Sequence, residues 1–436
     1  MSSSKATLDK IVSLCKRRGF VYQSGEIYAG LNGVYDFGPL GALLKHTIKN
    51  KWLEHMMSFP EEVLLVDGSL LGGAEIWKAS GHLDNFSDPM VDCLQCKKRY
   101  RADDVDLEKN CPHCGNKQWT AVRQFNLMFK TELGAMADAT SVAYLRPETA
   151  QAIFINFKNV MSSYRVKVPF GIAQIGKAFR NEITPKQFLF RMREFEQMEM
   201  EFFCKGEDAD RFFDLWVARR KAFFMSLGLQ PDRVRLRPHA SDELAHYSKA
   251  CIDVEYEFPF GWKELEGIAN RSDYDLSQHS KHSGKDLGVF DEATKSSYVP
   301  HVVECSVGVD RLFLTLLFDA YDEEEVDGEL RTVLRFHPAI APFTAAVMPL
   351  SNKLAEPAEK LFLDLKAKGF RVQFDDGGSI GKRYRRQDEI GTPVCFTYDF
   401  DSVNDNCVTA RNRDTMQQER VSIDTIHDYL SRLVAG

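Results

Sequence analysis

The chain has 436 residues, 44% hydrophobic, 27% charged and 11% aromatic, the make-up of a folded globular protein long enough for two or three separate cores. Its 28 glycines and 16 prolines exclude collagen-like and disordered classes. A net charge of -7 gives no whole-molecule support to a nucleic-acid partner, so any such surface has to be local.

The first residues carry Lys5, Lys10, Lys16, Arg17 and Arg18 with no apolar stretch between them, so no secretory signal is read and the cytoplasm is the default compartment. Leu8, Ile11, Val12 and Cys15 make one stripe of an N-terminal helix that Gly19 closes. Pro39 opens a second helix, and Leu40, Leu44, Ile48, Trp52 and Met56 give it a face to bury. Residues 62–66 read as a short strand. From about 120 to 318, apolar runs alternate with period-2 runs, which predicts a largely antiparallel sheet with helices between. No apolar run approaches a membrane span, residues 312–318 being among the longest. Residues 321–329 are acidic and without a period, and read as a surface link. After Pro338, strands at 341–349, 370–374, 394–398 and 408–411 alternate with helices at 355–368 and 423–434, an α/β unit of separate-domain size.

Four of the ten cysteines fall into two pairs, Cys93 with Cys96 and Cys111 with Cys114, each pair spaced by two residues. That spacing lets both sulfurs of a pair reach one tetrahedral zinc ion, and four thiolates leave no open position, so the role expected is structural.

Three further segments carry charge where strands are expected. Along 172–182, Gln174, Gly176, Ala178, Arg180 and Glu182 share a strand face. Along 191–203, Arg191, Arg193, Phe195, Gln197 and Glu199 share one face, and Met192, Met198, Met200 and Phe202 the other. Guanidinium groups suit phosphate, and Phe or Arg stacks on a base. Along 302–311, Glu304, Ser306 and Gly308 share a face before Arg311 enters an apolar helix in its first turn, where a cation opposes the helix dipole and implies another use. Residues 377–387 form a basic loop with Lys382, Arg383, Arg385 and Arg386 and no acid. Its start, GGSIGK, is not read as a nucleotide-binding loop, because the glycine spacing is one residue short and Arg383 stands where Ser or Thr would hold Mg²⁺.

In family order, residues 33–41 (GVYDFGPLG), 77–82 (WKASGH) with 86–90 (FSDPM), 145–151 (LRPETAQ), 179–182 (FRNE) with 190–195 (FRMREF), 308–311 (GVDR), and 380–386 (IGKRYRR) with 388–391 (DEIG) resemble the signatures of class II aminoacyl-tRNA synthetases. The likeness is greatest to the homodimeric glycyl-tRNA synthetases. It implies an α+β class II catalytic domain over residues 1–335, an antiparallel sheet flanked by helices with a zinc-knuckle insert at about 91–118. It also implies an α/β anticodon-binding domain over 336–436.

By the same resemblance, Arg180, Glu182 and Arg311 are catalytic. ATP is held by Arg180, Asn181, Glu182, Phe190, Arg191, Met192, Arg193, Glu194, Phe195, Glu264, Leu265, Gly308, Val309, Asp310 and Arg311, with Phe195 and Arg311 sandwiching adenine and Glu264 or Glu304 holding Mg²⁺. Glycine is held by Arg101, Glu148, Phe195, Glu196, Gln197, Met198, Glu199, Glu304, Cys305, Ser306, Val307 and Gly308, the glutamates surrounding its ammonium group. Lys382, Arg383, Arg385 and Arg386 meet tRNA(Gly), and Cys93, Cys96, Cys111 and Cys114 hold structural zinc. Two rival readings keep the fold: a nucleic-acid-binding accessory subunit, and a synthetase for threonine, proline or histidine. Retained Arg180, Glu182, Arg193 and Arg311 oppose the first, and the carboxylates of 195–199 oppose the second.

Overall fold

A computed structural model describes residues 6–135, 141–245 and 248–435. The N-terminal helix α1 is Leu8–Arg18, capped by Thr7 and ended by Gly19 in the left-handed region, φ 75°. It buries Ile11, Leu14 and Cys15; Val12, expected in the stripe, faces out. Helix α2, Pro39–Met56, starts on its proline and buries Leu44, Ile48, Trp52 and Met56 completely.

The central sheet has seven strands: β1 Val63–Leu65, β2 Phe170–Phe179, β3 Glu194–Cys204, β4 Val234–Pro238, β5 Ala250–Phe258, β6 Gly261–Ser272 and β7 His301–Gly308. Their spatial order is β4-β5-β6-β7-β3-β2-β1, antiparallel throughout except for β2 with β1. Period 2 divides the sheet into two chemistries. Met198, Met200 and Phe202 of β3 and Cys305 and Val307 of β7 join the main core with α2, with α4 (Ala209–Ser226) and with α6 (Val309–Ala320). The opposite face presents Phe195, Gln197, Glu199 and Glu201 beside Ser306 and Glu304, in the register Glu199↔Ser306 and Glu201↔Glu304. Helices α3 (Ala150–Tyr164) and α5 (Tyr274–Ser283) cover one end of that polar face through Phe154, Phe157 and Leu276, packed on Phe170 and Phe203. The uncovered remainder is a polar floor.

The C-terminal unit has a five-stranded sheet, in the order Val372–Phe374, Ala345–Pro349, Val394–Tyr398, Cys407–Asn412, Gln418–Ser422. The first three are parallel, and its core is its own. The predicted class, α+β catalytic domain with an α/β unit behind it, is the one observed.

Two segments differ from expectation. Residues 321–329 are no surface link: Tyr321–Val326 pairs with Glu329–Leu334 across Asp327-Gly328. Both turn residues have positive φ, 53° and 79°, the geometry a two-residue hairpin turn demands and Asp-Gly supplies. The hairpin is bolted to the C-terminal unit by Arg331, fully buried, whose Nε donates to Asp388 at 2.9 Å; Arg411 donates to the same carboxylate. The basic stretch is likewise no loop, because Ile380–Ile390 is helix α7, and the Gly-rich run leads into its N-terminus.

Candidate active site

Strand β2 stops at Phe179 and β3 starts at Glu194, so Arg180, Glu182, Arg191 and Arg193 stand on the intervening loop rather than on the strands where period 2 placed them. That loop, β3, β6 and the start of α6 enclose a cavity of about 300 Å³ lined by Arg180, Glu182, Phe190, Arg191, Phe195, Glu264, Gly308 and Arg311. Arg180 Nε donates to Pro147 O at 3.1 Å, and its guanidinium lies 5.4 Å from the Phe86 ring and 5.3 Å from Phe195. Arg311 donates to Glu264 O at 3.0 Å, pairs with the Glu264 carboxylate at 3.2 Å, and lies 4.5 Å over Phe190. Phe195 and Arg311 thus line one cavity, although each is stacked on a different neighbour. Burial pushes the Glu182 carboxyl up against the pull of Arg191, whose Nε is 4.0 Å away.

Several residues expected at the nucleotide also tie the site to its surroundings. Arg193 spends its donors on Glu182 O (3.0 Å) and Asn32 O (2.8 Å), tying the loop to the N-terminal segment. Glu194 pairs with Lys177. Asp310 is buried, accepting from Lys45 Nζ and from Glu196 N, each at 2.7 Å. Leu265 and Val309 point into the core, and Asn181 N donates to Leu127 O at 2.8 Å. Met192 is 5% exposed yet still touches the cavity wall.

Beside this cavity the polar floor gathers carboxylates. Glu199, 3% exposed, is saturated: Oε2 accepts from Thr149 N at 2.8 Å and from the Thr149 hydroxyl, and Oε1 from Ser306 Oγ at 2.7 Å and Gln197 Nε2 at 3.0 Å. Glu148 accepts from Gln151 Nε2 at 2.9 Å and lies 3.3 Å from His82 Nε2. Glu304 accepts from Arg271 Nη1 at 2.7 Å, and Arg271 also grips Asp275. Glu201 is fully buried, with neither oxygen partnered.

Burial raises Glu199 and Glu201, the latter strongly and with Glu304 adding to the effect. Burial outweighs Arg271 at Glu304, which rises to about 7. At Glu148 burial acts upward too, yet His82, Arg271 and Gln151 hold it well below the ordinary carboxylate range. Four carboxylates, Glu148, Glu199, Glu201 and Glu304, thus stand with Arg271 and His82 as their cationic partners, an imbalance that an ammonium group would answer.

Close packing sets the rear wall of this cluster. Arg146 donates to Lys177 O at 2.7 Å and Gly68 O at 2.8 Å, and a Cβ on Gly176 would stand 2.1 Å from its Nη2, so only glycine fits there. Of the other residues expected around glycine, Met198, Cys305 and Val307 turn into the core, and Glu196 pairs with Lys45 and Lys49 on that same side; only their main chains reach the polar face. Arg101 pairs with Asp88 at 3.1 Å and keeps a buried Nε without a partner. Of the two carboxylates expected at Mg²⁺, Glu304 meets Arg271 at 2.7 Å and Glu264 lines the cavity. Among the described residues no set of three or more ligand side chains gathers at the cavity, the two such sets being the four thiols and His239 with Cys251 and Asp253. The second of these already holds a cation, since Arg237 lies 3.3 Å from Asp253.

The insert is wider than expected. Ser87–Asp92 pairs with Arg99–Arg101 and with Arg123–Asn126, and the cysteines cap this small sheet. Cys93 and Cys114 sulfurs are 3.5 Å apart, Cys96 and Cys111 3.8 Å, and all four lie within 4.8 Å of one another. Ligands about 2.3 Å from a tetrahedral ion stand about 3.8 Å apart, so the four sulfurs fit zinc. Lys97 and Gly115, both at positive φ, close the two knuckle turns by donating to Cys93 O and Cys111 O.

On α7, Lys382 is exposed, and with Arg385, Arg386 and Arg18 it lines a second cavity of about 590 Å³. Arg383 is not part of it: buried, it donates to Pro349 O at 2.5 Å and Gly378 O at 2.8 Å. Arg386 is tied to Asp375 at 2.6 Å.

His82, Thr149, Gln151, Arg271 and Asp275 were not singled out from sequence. His82, Thr149 and Gln151 lie inside the 77–82 and 145–151 signatures, which marked the segments without assigning these side chains. Arg271 and Asp275 sit in no pattern at all and meet Glu304 only through the pairing of β6 with β7.

Comparison with known proteins places this geometry. Residues 106–321 match the family described as tRNA synthetase class II core domain (G, H, P, S and T), and residues 344–433 match the anticodon binding domain. A glycine–tRNA ligase of Caldanaerobacter subterraneus subsp. tengcongensis is 53% identical, the alignment covering 98% of each chain. Those of Geobacillus thermodenitrificans (50%, over 99% of this chain and 98% of the relative) and Borreliella afzelii (53%, over 97% and 96%) are similar to the same extent. With a class II core, an anticodon-binding unit behind it and half of all residues shared along nearly the full length, the chain belongs to the glycine–tRNA ligase family.

Proposed function

We propose that this chain joins glycine to tRNA(Gly) in two steps. In the first, the glycine carboxylate attacks the α-phosphorus of ATP, the bond to the β-phosphate oxygen breaks, and pyrophosphate leaves. In the second, a ribose hydroxyl at the tRNA 3′ end attacks the glycyl carbonyl, and AMP leaves. The nucleophile of the first step is already ionised, so positioning and charge stabilisation carry the chemistry. Arg180 serves the α-phosphate, Arg191 the γ-phosphate, and Phe195 and Arg311 the adenine. Mg²⁺ arrives with the nucleotide, whose phosphates supply most of its ligands, as is usual for this ion.

The observation that carries this reading is the cluster of Glu148, Glu199 and Glu304, in which carboxylates outnumber cations, joined through Gln197 and Ser306 to an arginine-lined cavity. The cluster matches an ammonium group and the cavity a polyphosphate. Lys382 and Arg385, with their neighbours on α7, meet tRNA phosphates. The four thiolates hold structural zinc.

The protein works as a homodimer, a reading supported by β1, an edge strand of the central sheet on which Leu65 is 49% exposed. It works in the cytoplasm, and among the described residues no helix is long and apolar enough to cross a membrane. Charging of a tRNA(Gly) transcript with labelled glycine tests the whole. Label appearing on tRNA only with ATP present is the expected result, and charging with threonine, proline or histidine in its place would refute it.

A further inference from the structure

Two side chains reach the Glu148 carboxylate: Gln151, three residues on in the first turn of α3, and His82, from a separate segment. The second ring nitrogen of His82, Nδ1, is 2.8 Å from Ser80 Oγ, and Ser80 Oγ is 3.3 Å from Trp77 O. An ionised carboxylate only accepts, so the His82 nitrogen facing it must carry a proton. If the ring is neutral, Ser80 donates to Nδ1. If it is charged, Nδ1 donates to Ser80, which donates to Trp77 O. Both arrangements aim an N–H at Glu148.

The ring is also clamped. Trp77 and Phe86 meet it edge-on at 5.7 and 5.4 Å, and Asn126 Nδ2 donates to His82 O at 3.1 Å and Leu83 O at 3.0 Å. Phe86 in turn carries the Arg180 guanidinium. One short segment, residues 77–86, therefore supports both the acidic pocket and the arginine proposed for the α-phosphate.

We infer that His82 is a positioning residue for the ammonium site: by donating from Nε2 it fixes the rotamer in which Glu148 faces glycine, and it touches no substrate itself. Gln151 holds one Glu148 oxygen, Oε1, at 2.9 Å, and the locked ring faces the other, Oε2, at 3.3 Å, so the carboxylate is gripped at both oxygens. The inference rests on the glycine reading above.

Glycine-dependent ATP–pyrophosphate exchange tests it in the full chain with His82→Ala, His82→Phe and His82→Gln. Exchange by the wild type checks the glycine reading first, and its absence would defeat that reading separately. Given exchange, His82→Ala and His82→Phe raise the glycine KM about tenfold to a hundredfold, the loss of one charge-assisted bond, while the ATP KM stays within about twofold. His82→Gln, which keeps an N–H at similar reach, recovers most of the affinity; Phe, which keeps only the ring contacts, does not. A wild-type glycine KM in His82→Phe, or rescue by Phe and not by Gln, overturns the inference in favour of packing. If both variants fold by circular dichroism but raise the ATP and glycine KM equally, the inference is overturned too, because the segment then supports the whole site rather than Glu148.

Discussion

Arg180 leaves β2 just past its last pair and is held by one carbonyl and two aromatic faces. Most of its donors remain for a ligand. Arg180→Ala and Arg311→Ala therefore abolish pyrophosphate exchange while leaving the thermal midpoint near wild type, since neither side chain is packed in the core. Unaltered exchange in either variant would remove the phosphate and adenine roles.

Glu304 makes a different prediction, about pH. Its carboxyl titrates at about 7 in the folded protein, above its ordinary 4.5, through burial and despite Arg271. A raised carboxyl contributes stability that is complete below the unfolded value and is lost as pH rises through 7. Glycine's ammonium group answers that lost stability, so glycine raises the thermal midpoint more at pH 8 than at pH 6. In Glu304→Gln this difference is smaller; an equal glycine effect at both pH values would oppose the ammonium pocket.

At the level of elements, repeating patterns were legible in the sequence and isolated partners were not. The stripe from Leu40 to Met56, the β3 alternation from Phe195 to Phe203 and the Gly308-to-Arg311 entry into α6 follow from periods of 3.6 and 2, and the structure keeps them. The hairpin at 321–334 was missed because its Glu-rich strand has no apolar alternation, although Asp327-Gly328 carried the turn. Helix α7 was missed because its apolar residues are few and its buried face is polar, made of Arg383, Gln387 and Asp388. Within the site, the arginines of the loop were visible as residue types. Their division into cavity-lining (Arg180, Arg191) and loop-tying (Arg193) depends on carbonyls brought in from Asn32 and Pro147, which no local pattern reveals.

The hairpin's attachment is testable. Asp388 serves both Arg331 and Arg411 in a dry interface, so Asp388→Asn costs about 3–5 kcal/mol and lowers the urea midpoint. A neutral effect would mean that the hairpin and C-terminal unit are only loosely joined. Likewise, protein prepared without chelator should carry one zinc ion per chain. Cys96→Ser should lose the ion and melt the small sheet that holds Asn126 against His82; its elemental analysis and its glycine KM should change together.

Over the whole molecule, the class II core and the anticodon-binding unit are separate segments of the chain with separate cores. On α7, Arg383 and Arg386 are committed to Pro349, Gly378 and Asp375, so the proposed tRNA contact falls to Lys382 and Arg385. Replacing Lys382 and Arg385 with alanine should leave pyrophosphate exchange near wild type, raise the tRNA KM, and reduce the salt dependence of charging by about two phosphate contacts. Arg383→Ala should instead lower stability, visible in the urea midpoint without any tRNA present.

On the proposed function, the carboxylate cluster selects glycine for adenylation. Pyrophosphate exchange by the full-length wild type against a panel of glycine, alanine, serine, threonine, proline and histidine measures that choice before tRNA enters. Exchange with glycine at least about a hundredfold above every other amino acid is the predicted result. Exchange that is equal for alanine, greatest for another member of the panel, or independent of any amino acid would contradict it.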